Sequence, residues 1–481
     1  MTKIVDIEDI RKKREKKEIG IPIENINKKE LKRRGHEIGD ILGCDEKGEE
    51  ICVRKGKGNL YVDGDMEKEQ LFDFMRSQIY QNIQRGDSMV IVDLGSRIYK
   101  RELWIYLTIH GYRVDSYNMD CMTESDCFNC LDGLGAENEE QIVMIANDII
   151  DDQKYKFMTY PVETVCKALL SAVLLASLTE MEESDRNMLE IATIFRLGVS
   201  GTMLDKILHV MFEELDETSS AKQLFAMYSE AEEGIRMEAI QKIGNALAVY
   251  EKRANGSLCD NFRTNRYDME MPVKEKSVLF IESGQLPEDK VLFSVFMERL
   301  YDSMLKKAEE RQQDVTVMLL DYPYYGGLCG LEKYMEEGPE KGICTTLYED
   351  DRKLDGSGYA PHLVEYSLCD ISVCIKDTEI PLCEIEKCEN PVTGECSKRK
   401  DGLCYYPAAR NRCKEFIIGY DRDKEEAMFV TGYLYDPEDH PCKIPENVKD
   451  EDGNLYESTK DNLRQKGYII KELDLKKIHK F

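Results

Sequence analysis

A parallel α/β sheet interrupted by an all-helical insertion is the fold class that this sequence predicts, and three observations predict it. Short apolar, β-branched runs alternate with helical periodicity between about residues 50 and 130, and again from 276 to 376. Between these stretches the pattern is helical alone. After 376 the texture changes once more, to a segment dense in cysteine.

Residues 1 to 48 read as a charged arm, helix-like from 7 to 18 and near 26 to 36. ICVRKGKGNLYVDG, 51 to 64, reads either as a hairpin or as two short strands about a Gly-rich turn, and MEKEQLFDFMRSQIYQNIQ follows as a helix. SMVIVDLG, 88 to 95, is an apolar strand that ends at Asp93; KRELWIYLTIHG is a helix closed by Gly111, and YRVDSYNMD is the next strand. This order is that of a parallel sheet open at its carboxyl edge. The insertion holds six helical segments: EEQIVMIANDIIDD, VETVCKALLSAVLLASLTEM, RNMLEIATIFRLG, TMLDKILHVMFEEL, AKQLFAMYSEA and IRMEAIQKIGNALAVYEK. Their Met and aromatic residues read as core filling. The sheet resumes with KSVLFIES, a long helix, VTVMLLDY, GICTTLYED and CDISVCIK; FIIGYDR and EAMFVTGYLYD are further candidate strands. The divisions are therefore 1–48, 49–130, 131–258, 259–376 and 377–481.

Composition narrows the function. The chain has 481 residues and a net charge of −28, which opposes nucleic-acid duplex binding over most of its surface. Residues 1 to 35 are the exception, with twelve Lys or Arg against seven Asp or Glu, so a short basic arm is available to an acidic partner. No stretch approaches the roughly 18 uninterrupted apolar residues that cross a bilayer. The N-terminus has no apolar signal-peptide core, so a cytoplasmic location is expected. Seventeen cysteines, several within apolar segments (Cys166, Cys344, Cys369, Cys374), suit reduced core thiols better than a disulfide framework.

The order of these segments resembles the ATPase domain of type IV secretion coupling proteins, which pump DNA in conjugation. VIVDLGSRIY places Asp93 and Gly95 as the family's Asp-Pro-Lys-Gly-Glu strand end does. HGYRVDSYNMD keeps His110, Gly111, Tyr112 and Val114 of the next family strand, and SDCFNCL keeps Ser125, Asp126, Asn129 and Leu131. ETVCKALLSAVLLA resembles the family's opening insertion helix, VTVMLLDYPYYGG its Walker B region, and CDISVCIK its late Cys-Asp strand. The resemblance implies a RecA-like P-loop-type core, an inserted all-helical domain, and protein partners in a conjugation or secretion machine, an active paralogous ATPase among the candidates.

Departures from the family pattern decide the expected activity. Relatives carry a Gly-rich loop ending in Gly-Lys-Ser/Thr, whose backbone N–H groups cradle phosphates. Here the stretch is NLYVDGDMEKEQLF: Gly64 remains and Lys68 is near, but Asp65, Glu67 and Glu69 stand where a polyanion would sit. Asp321 keeps the Walker B strand end, but Tyr322 replaces the carboxylate that activates water, and a phenol is a poor base at neutral pH. The family's γ-phosphate-sensing Gln falls at Tyr348, Glu349 or Asp350. A catalytically degenerate adaptor is the expected function, with no bound ATP or Mg²⁺. The alternatives are an active or partner-dependent ATPase, and a nucleic-acid-binding module in the C-terminal extension.

Two cysteine groups have metal or redox spacing. Cys127-x-x-Cys130 occupies positions of other residue types in the family and reads as ordinary thiols. Cys383, Cys388, Cys396, Cys404 and Cys413, within 31 residues, are candidate ligands for Zn²⁺ ahead of an iron–sulfur centre, in a segment made basic by Lys398, Arg399, Lys400, Arg410, Arg412 and Lys414.

Overall fold

The computed structural model describes residues 23–34, 38–44, 50–64, 68–93, 103–104, 107–108, 110–119, 125–151, 159–196, 201–253, 260–263, 267–282, 289–320, 328, 330–350, 369, 371–376, 415–421 and 426–430. Two sheets are present among them. Strands β1 (Ile23–Asn27), β2 (Ile38–Cys44) and β3 (Glu50–Lys55) form an antiparallel sheet in the order β1-β3-β2. Strand β4 (Leu60–Gly64) leaves β3 for a second, nine-stranded sheet. The two runs of ICVRKGKGNLYVDG are therefore separate strands. Gly56, at φ 76°, turns the chain between them, and the buried Arg54 guanidinium ties the turn by donating to the carbonyls of Gly58 (2.7 Å) and Asn59 (3.2 Å). Of residues 26 to 36, 26 to 34 are described, and the seven of helix α1 (Lys28–Arg34) are helical; the boundary at 48/49 falls between the paired strands β2 and β3.

The large sheet continues with β5 (Ser88–Asp93), β6 (Arg113–Asn118), β7 (Ser277–Glu282), β8 (Val315–Leu320), β9 (Ile343–Asp350), β10 (Ile371–Lys376), β11 (Glu415–Asp421) and β12 (Glu426–Val430). Its order is β12-β11-β10-β4-β9-β8-β5-β7-β6. The seven strands from β10 to β6 are parallel, and β11 and β12 extend the β10 side antiparallel. All six residues of both β5 and β7 are buried, which is why these strands read as continuous apolar runs: helices cover a parallel sheet on both faces. Helix α2 (Lys68–Arg85) connects β4 to β5.

Between β6 and β7 the chain builds the helical unit: α3 (Glu139–Asp151), α4 (Tyr160–Glu180), α5 (Met188–Arg196), α6 (Gly201–Glu213), α7 (Ser220–Ser229) and α8 (Glu233–Arg253). Helix α4 is its axis, with α3, α7 and α8 packed around it. Burying side chains such as Leu169, Leu170 and Leu174, each 0 % exposed, contributes about 1.5–3 kcal/mol apiece. This 21-residue helix is the one among the described residues that is long and apolar enough to cross a membrane, but 78 % of its apolar window is buried inside the unit. Phe212, Phe225, Tyr228 and Tyr250 fill the core as expected, with Phe212 stacked on Phe225 at 4.1 Å, whereas Tyr160 at the start of α4 is exposed. Met203, Met211 and Met227 are exposed as well.

Helix α9 (Asp289–Lys307) joins the unit to the sheet. Its Phe296 stacks on Tyr117 of β6 at 4.1 Å and meets Phe128 edge-on at 4.8 Å, in one apolar cluster that runs through both halves. Asn129 fixes the same junction. Its Nδ2 donates to the Arg186 carbonyl (2.8 Å), and its Oδ1 accepts from the Leu131 N–H (3.1 Å). Asn129→Ala strands these partners without disturbing the apolar cluster. It should lower stability by about 2–4 kcal/mol, measured by urea denaturation of the full chain, with Asn129→Asp no milder at neutral pH because its buried carboxylate sets an oxygen against the Arg186 carbonyl.

Candidate functional site

In an open parallel sheet, ligands bind at the carboxyl ends of the strands, where successive connections leave in opposite directions. Strand β4 lies at such a point. Its exit through α2 leads to β5, past β9 and β8, while β10 lies on its other side. Register places Asp63 beside Glu349 and Gly64 beside Asp350. Three residues separate Gly64, the last of β4, from Lys68, the first of α2. The register thus puts acidic residues of both strands at the carboxyl end of the sheet. Two cations come to this edge by position: Lys68, and Lys376 at the end of β10, which pairs with Glu415 of β11.

Further along the same edge, Asp93 ends β5 and pairs in register with Glu282 of β7, which pairs with Asn118 of β6. All three are at most 2 % exposed. The Ser116 hydroxyl donates to Glu282 Oε2 (3.0 Å), and the Met119 N–H donates to the Glu282 carbonyl (2.9 Å). Ser125 and Asp126 complete this edge by capping the outer side of β6, largely through their side chains. Asn118 N–H donates to Ser125 Oγ (3.1 Å), Ser116 N–H to Asp126 Oδ2 (3.3 Å), and Asp126 N–H to the Ser116 carbonyl (2.9 Å). Gly111, at φ 78°, and Tyr112, whose hydroxyl donates to the Asp87 carbonyl (3.0 Å), shape the entry into β6. These retained family residues each have a structural contact in this chain.

The other sequence-predicted residues are distributed as follows. Strand β8 ends at Leu320, so Asp321 and Tyr322 follow it directly, but both lie outside the described residues. Cys383, Cys388, Cys396, Cys404 and Cys413 also lie outside them, in the connection between β10 and β11. Of the three positions aligned with the sensing Gln, Tyr348 is 0 % exposed and meets the Phe74 ring edge-on at 6.5 Å, so it belongs to the core. Cys127 and Cys130 are buried free thiols, and burial raises the Cys130 pKa to about 12, away from the thiolate that metal or redox chemistry needs. Among the described residues no three His, Cys, Asp or Glu side chains are grouped as a metal site.

Cations are concentrated at the opposite, amino edge, where carboxylates engage them. Lys57 Nζ lies 2.8 Å from both Asp87 and Asp314, and Arg85 binds Asp87 (2.7 Å) and Asp40 (3.1 Å).

Glu298 escaped the sequence reading. On α9 it is 3 % exposed; its Oε1 accepts from the Gly330 N–H (2.6 Å) and its Oε2 from the Tyr334 hydroxyl. Gly330 opens helix α10 (Leu331–Glu337), so Glu298 anchors the chain that returns from the end of β8. A Cβ on Gly330 would lie 2.6 Å from Glu298 Oε2 and 2.8 Å from the Tyr334 ring, so the position admits glycine alone without displacement.

No family model and no curated protein matches the sequence. Among solved structures, the chain is similar to the bacterial conjugative coupling protein TrwBdeltaN70 in its unbound monoclinic form, with a TM-score of 0.54 and 13% identity over 87% of this chain and 94% of that one. It is also similar to the trigonal form in complex with sulphate, with a TM-score of 0.51 and 13% identity over 85% of this chain and 86% of that one. The chain has a coupling-protein fold. The RecA-like core expected from the resemblance is thus the observed α/β sheet, with a helical unit between β6 and β7.

Within this coupling-protein fold, Glu298 makes stability depend on pH. Burial raises its pKa above the ordinary 4.5, outweighing the hydrogen bonds from Tyr334 and Gly330 that favour the carboxylate. The native state then holds a proton that the unfolded chain releases, so stability falls as pH rises through 4.5 towards the raised pKa. Urea denaturation of Glu298→Gln beside the wild type should show the wild type losing stability relative to the variant across this window, by at most about 1.4 kcal/mol per pH unit. A difference that stays flat with pH would contradict this ionisation.

Proposed function

We propose that the chain is a coupling-protein-like adaptor or structural component of a conjugative DNA-transfer or type IV secretion machine, and that it does not turn over ATP. The observation that carries this reading is the three-residue connection from Gly64 to Lys68, set in a row of carboxylates. A phosphate loop of the Gly-x₄-Gly-Lys-Ser/Thr kind needs several consecutive N–H groups turned towards one point, with glycines where Cβ atoms would obstruct them. Here the connection is Asp65, Met66 and Glu67, with Asp63 before it and Glu69 after it. Negative charge at this position weakens triphosphate binding, and the cations at the amino edge are engaged by their own carboxylates. In this reading the fold is retained as a shape that protein components of the machine recognise, with an active paralogous ATPase as one candidate partner. The chain works on the cytoplasmic side.

Two measurements test the reading. Titration calorimetry of the full chain should give no saturable heat with Mg·ATP up to about 1 mM, a limit that corresponds to binding weaker than about −4 kcal/mol. In a cell that encodes the protein, deletion of its gene should abolish conjugative transfer or secretion, and Asp321→Ala should restore it as fully as the wild type. Saturable ATP binding together with failure of Asp321→Ala to complement would instead establish an active ATPase. A deletion without effect on transfer or secretion would remove the assignment to that machine.

A further inference from the structure

Helix α6 has two apolar faces, and the fold uses one. Leu204, Leu208 and Phe212 follow one another at four-residue spacing and are buried. Met203, Ile207, Val210 and Met211 form a second stripe, 57 %, 38 %, 59 % and 48 % exposed, and Met227 on the adjoining α7 is 50 % exposed. A surface helix ordinarily carries charged or polar residues opposite its core stripe.

The helix cannot roll to bury the second stripe. Asp205, on the inner side, accepts from the Tyr228 hydroxyl (2.6 Å) and from Arg236 Nε (3.1 Å), while Arg236 Nη1 also donates to the Ala231 carbonyl (2.7 Å). This buried network ties α6 to α7 and α8, and the Phe212–Phe225 stack adds a second tie to α7. The outer stripe is therefore held on the surface by the packing of the inner one.

The surroundings of the stripe indicate what it fits. Glu213, Glu214, Asp216 and Glu217 follow it at the carboxyl end of α6, all exposed, and Glu230, Glu232 and Glu233 are exposed at the turn between α7 and α8. The carboxyl end of a helix carries partial negative charge of its own. Lys206 is an exposed cation on α6, and the nearby Lys222 is paired with Glu217 at 2.9 Å. An apolar stripe of flexible methionines within an acidic rim is complementary to a basic amphipathic helix, whose apolar side chains insert between the methionines while its Lys and Arg reach the rim.

We propose that this face of the helical unit docks a basic amphipathic helix of a partner protein. From Met203 to Met211 the stripe runs about 12 Å, so about two turns of the partner suffice to cover it. The partner helix carries apolar residues at i, i+3 or i+4, and i+7, flanked by Lys or Arg. This goes beyond the reading of the core, and it holds whether or not the sheet binds nucleotide, so either can fail alone.

The test uses the full-length chain and a fluorescent 18-residue peptide of Leu and Lys patterned as an amphipathic helix. The comparisons are a scrambled peptide of the same composition and a Leu/Glu peptide of the same pattern. The patterned basic peptide should bind at least tenfold more tightly than either. The double variant Met203→Glu/Val210→Glu should weaken it at least tenfold. Glu213→Gln/Glu214→Gln should weaken it severalfold, while removal of two remote charges in Glu309→Gln/Glu310→Gln should leave it unchanged. The substituted side chains are exposed, so circular dichroism should match the wild type. Equal binding of the scrambled peptide, or insensitivity to the stripe substitutions, would overturn the proposal. Sedimentation that shows self-association lost in Met203→Glu/Val210→Glu would assign the face to a second copy of the chain and overturn it equally.

Discussion

Parallel alignment of the seven strands from β10 to β6 is the constraint on which the rest of the structure depends. A parallel pair cannot close through a tight turn, so each pairing requires a crossover that covers a face of the sheet. Strands covered on both faces must be apolar throughout, and the polar residues of β5 and β7 are displaced to their ends. Asp93 and Glu282 are the last residues of their strands, and Ser88 and Ser277 are the first. The same rule turns amino-edge polarity into structure. Ser88 Oγ donates to the Glu275 carbonyl (2.8 Å) and accepts from the Ser277 N–H (3.1 Å), so the beginnings of β5 and β7 are pinned together. The carboxyl edge is left to carry whatever chemistry or recognition the core retains.

The helical unit follows from the same constraint. Strands β6 and β7 are parallel neighbours, so the chain between them must cross over, and here the crossover has grown into the six helices from α3 to α8. A unit inserted at one crossover shares its apolar core with the sheet instead of hanging from a linker. Phe296 and Tyr117 supply that shared core, and Asn129 supplies the polar stitch beside it. The motif residues have a structural use here: Asn129, Ser125 and Asp126 each satisfy backbone groups that would otherwise be left unpaired where β6 ends and the helical unit begins.

How much was legible in the sequence follows physical lines. All six insertion helices and the strands of the parallel sheet were readable, because one-sided apolar spacing and uninterrupted apolar runs are local patterns. Of the small sheet only β3 was readable; β1 and β2 were not, and β2 pairs with β3 through two register shifts that break the period-two signal. Gly64 and Asp93 stand at strand ends as the sequence implied. Glu282 and Glu298 were passed over because a single glutamate in a strand or helix has the same pattern whether it is solvated or buried; only tertiary packing makes the difference. The methionines of α6 and α7 illustrate the same limit from the other side. They read as core filling, and nothing local distinguishes the stripe of α6 that meets α7 and α8 from the one left outside.

The distribution of charge links the two halves. At the amino edge, Lys57 and Arg85 are neutralised within the fold by Asp87, Asp314 and Asp40, so they add rigidity and little outward potential. The carboxyl edge of the sheet and the rim of the α6 stripe carry further acidic residues. A net charge of −28 favours positively charged groups near the surface and opposes duplex DNA over most of it. In this coupling-protein fold the parallel sheet holds the helical unit in place, and the buried Asp205 network holds one apolar face of that unit outward.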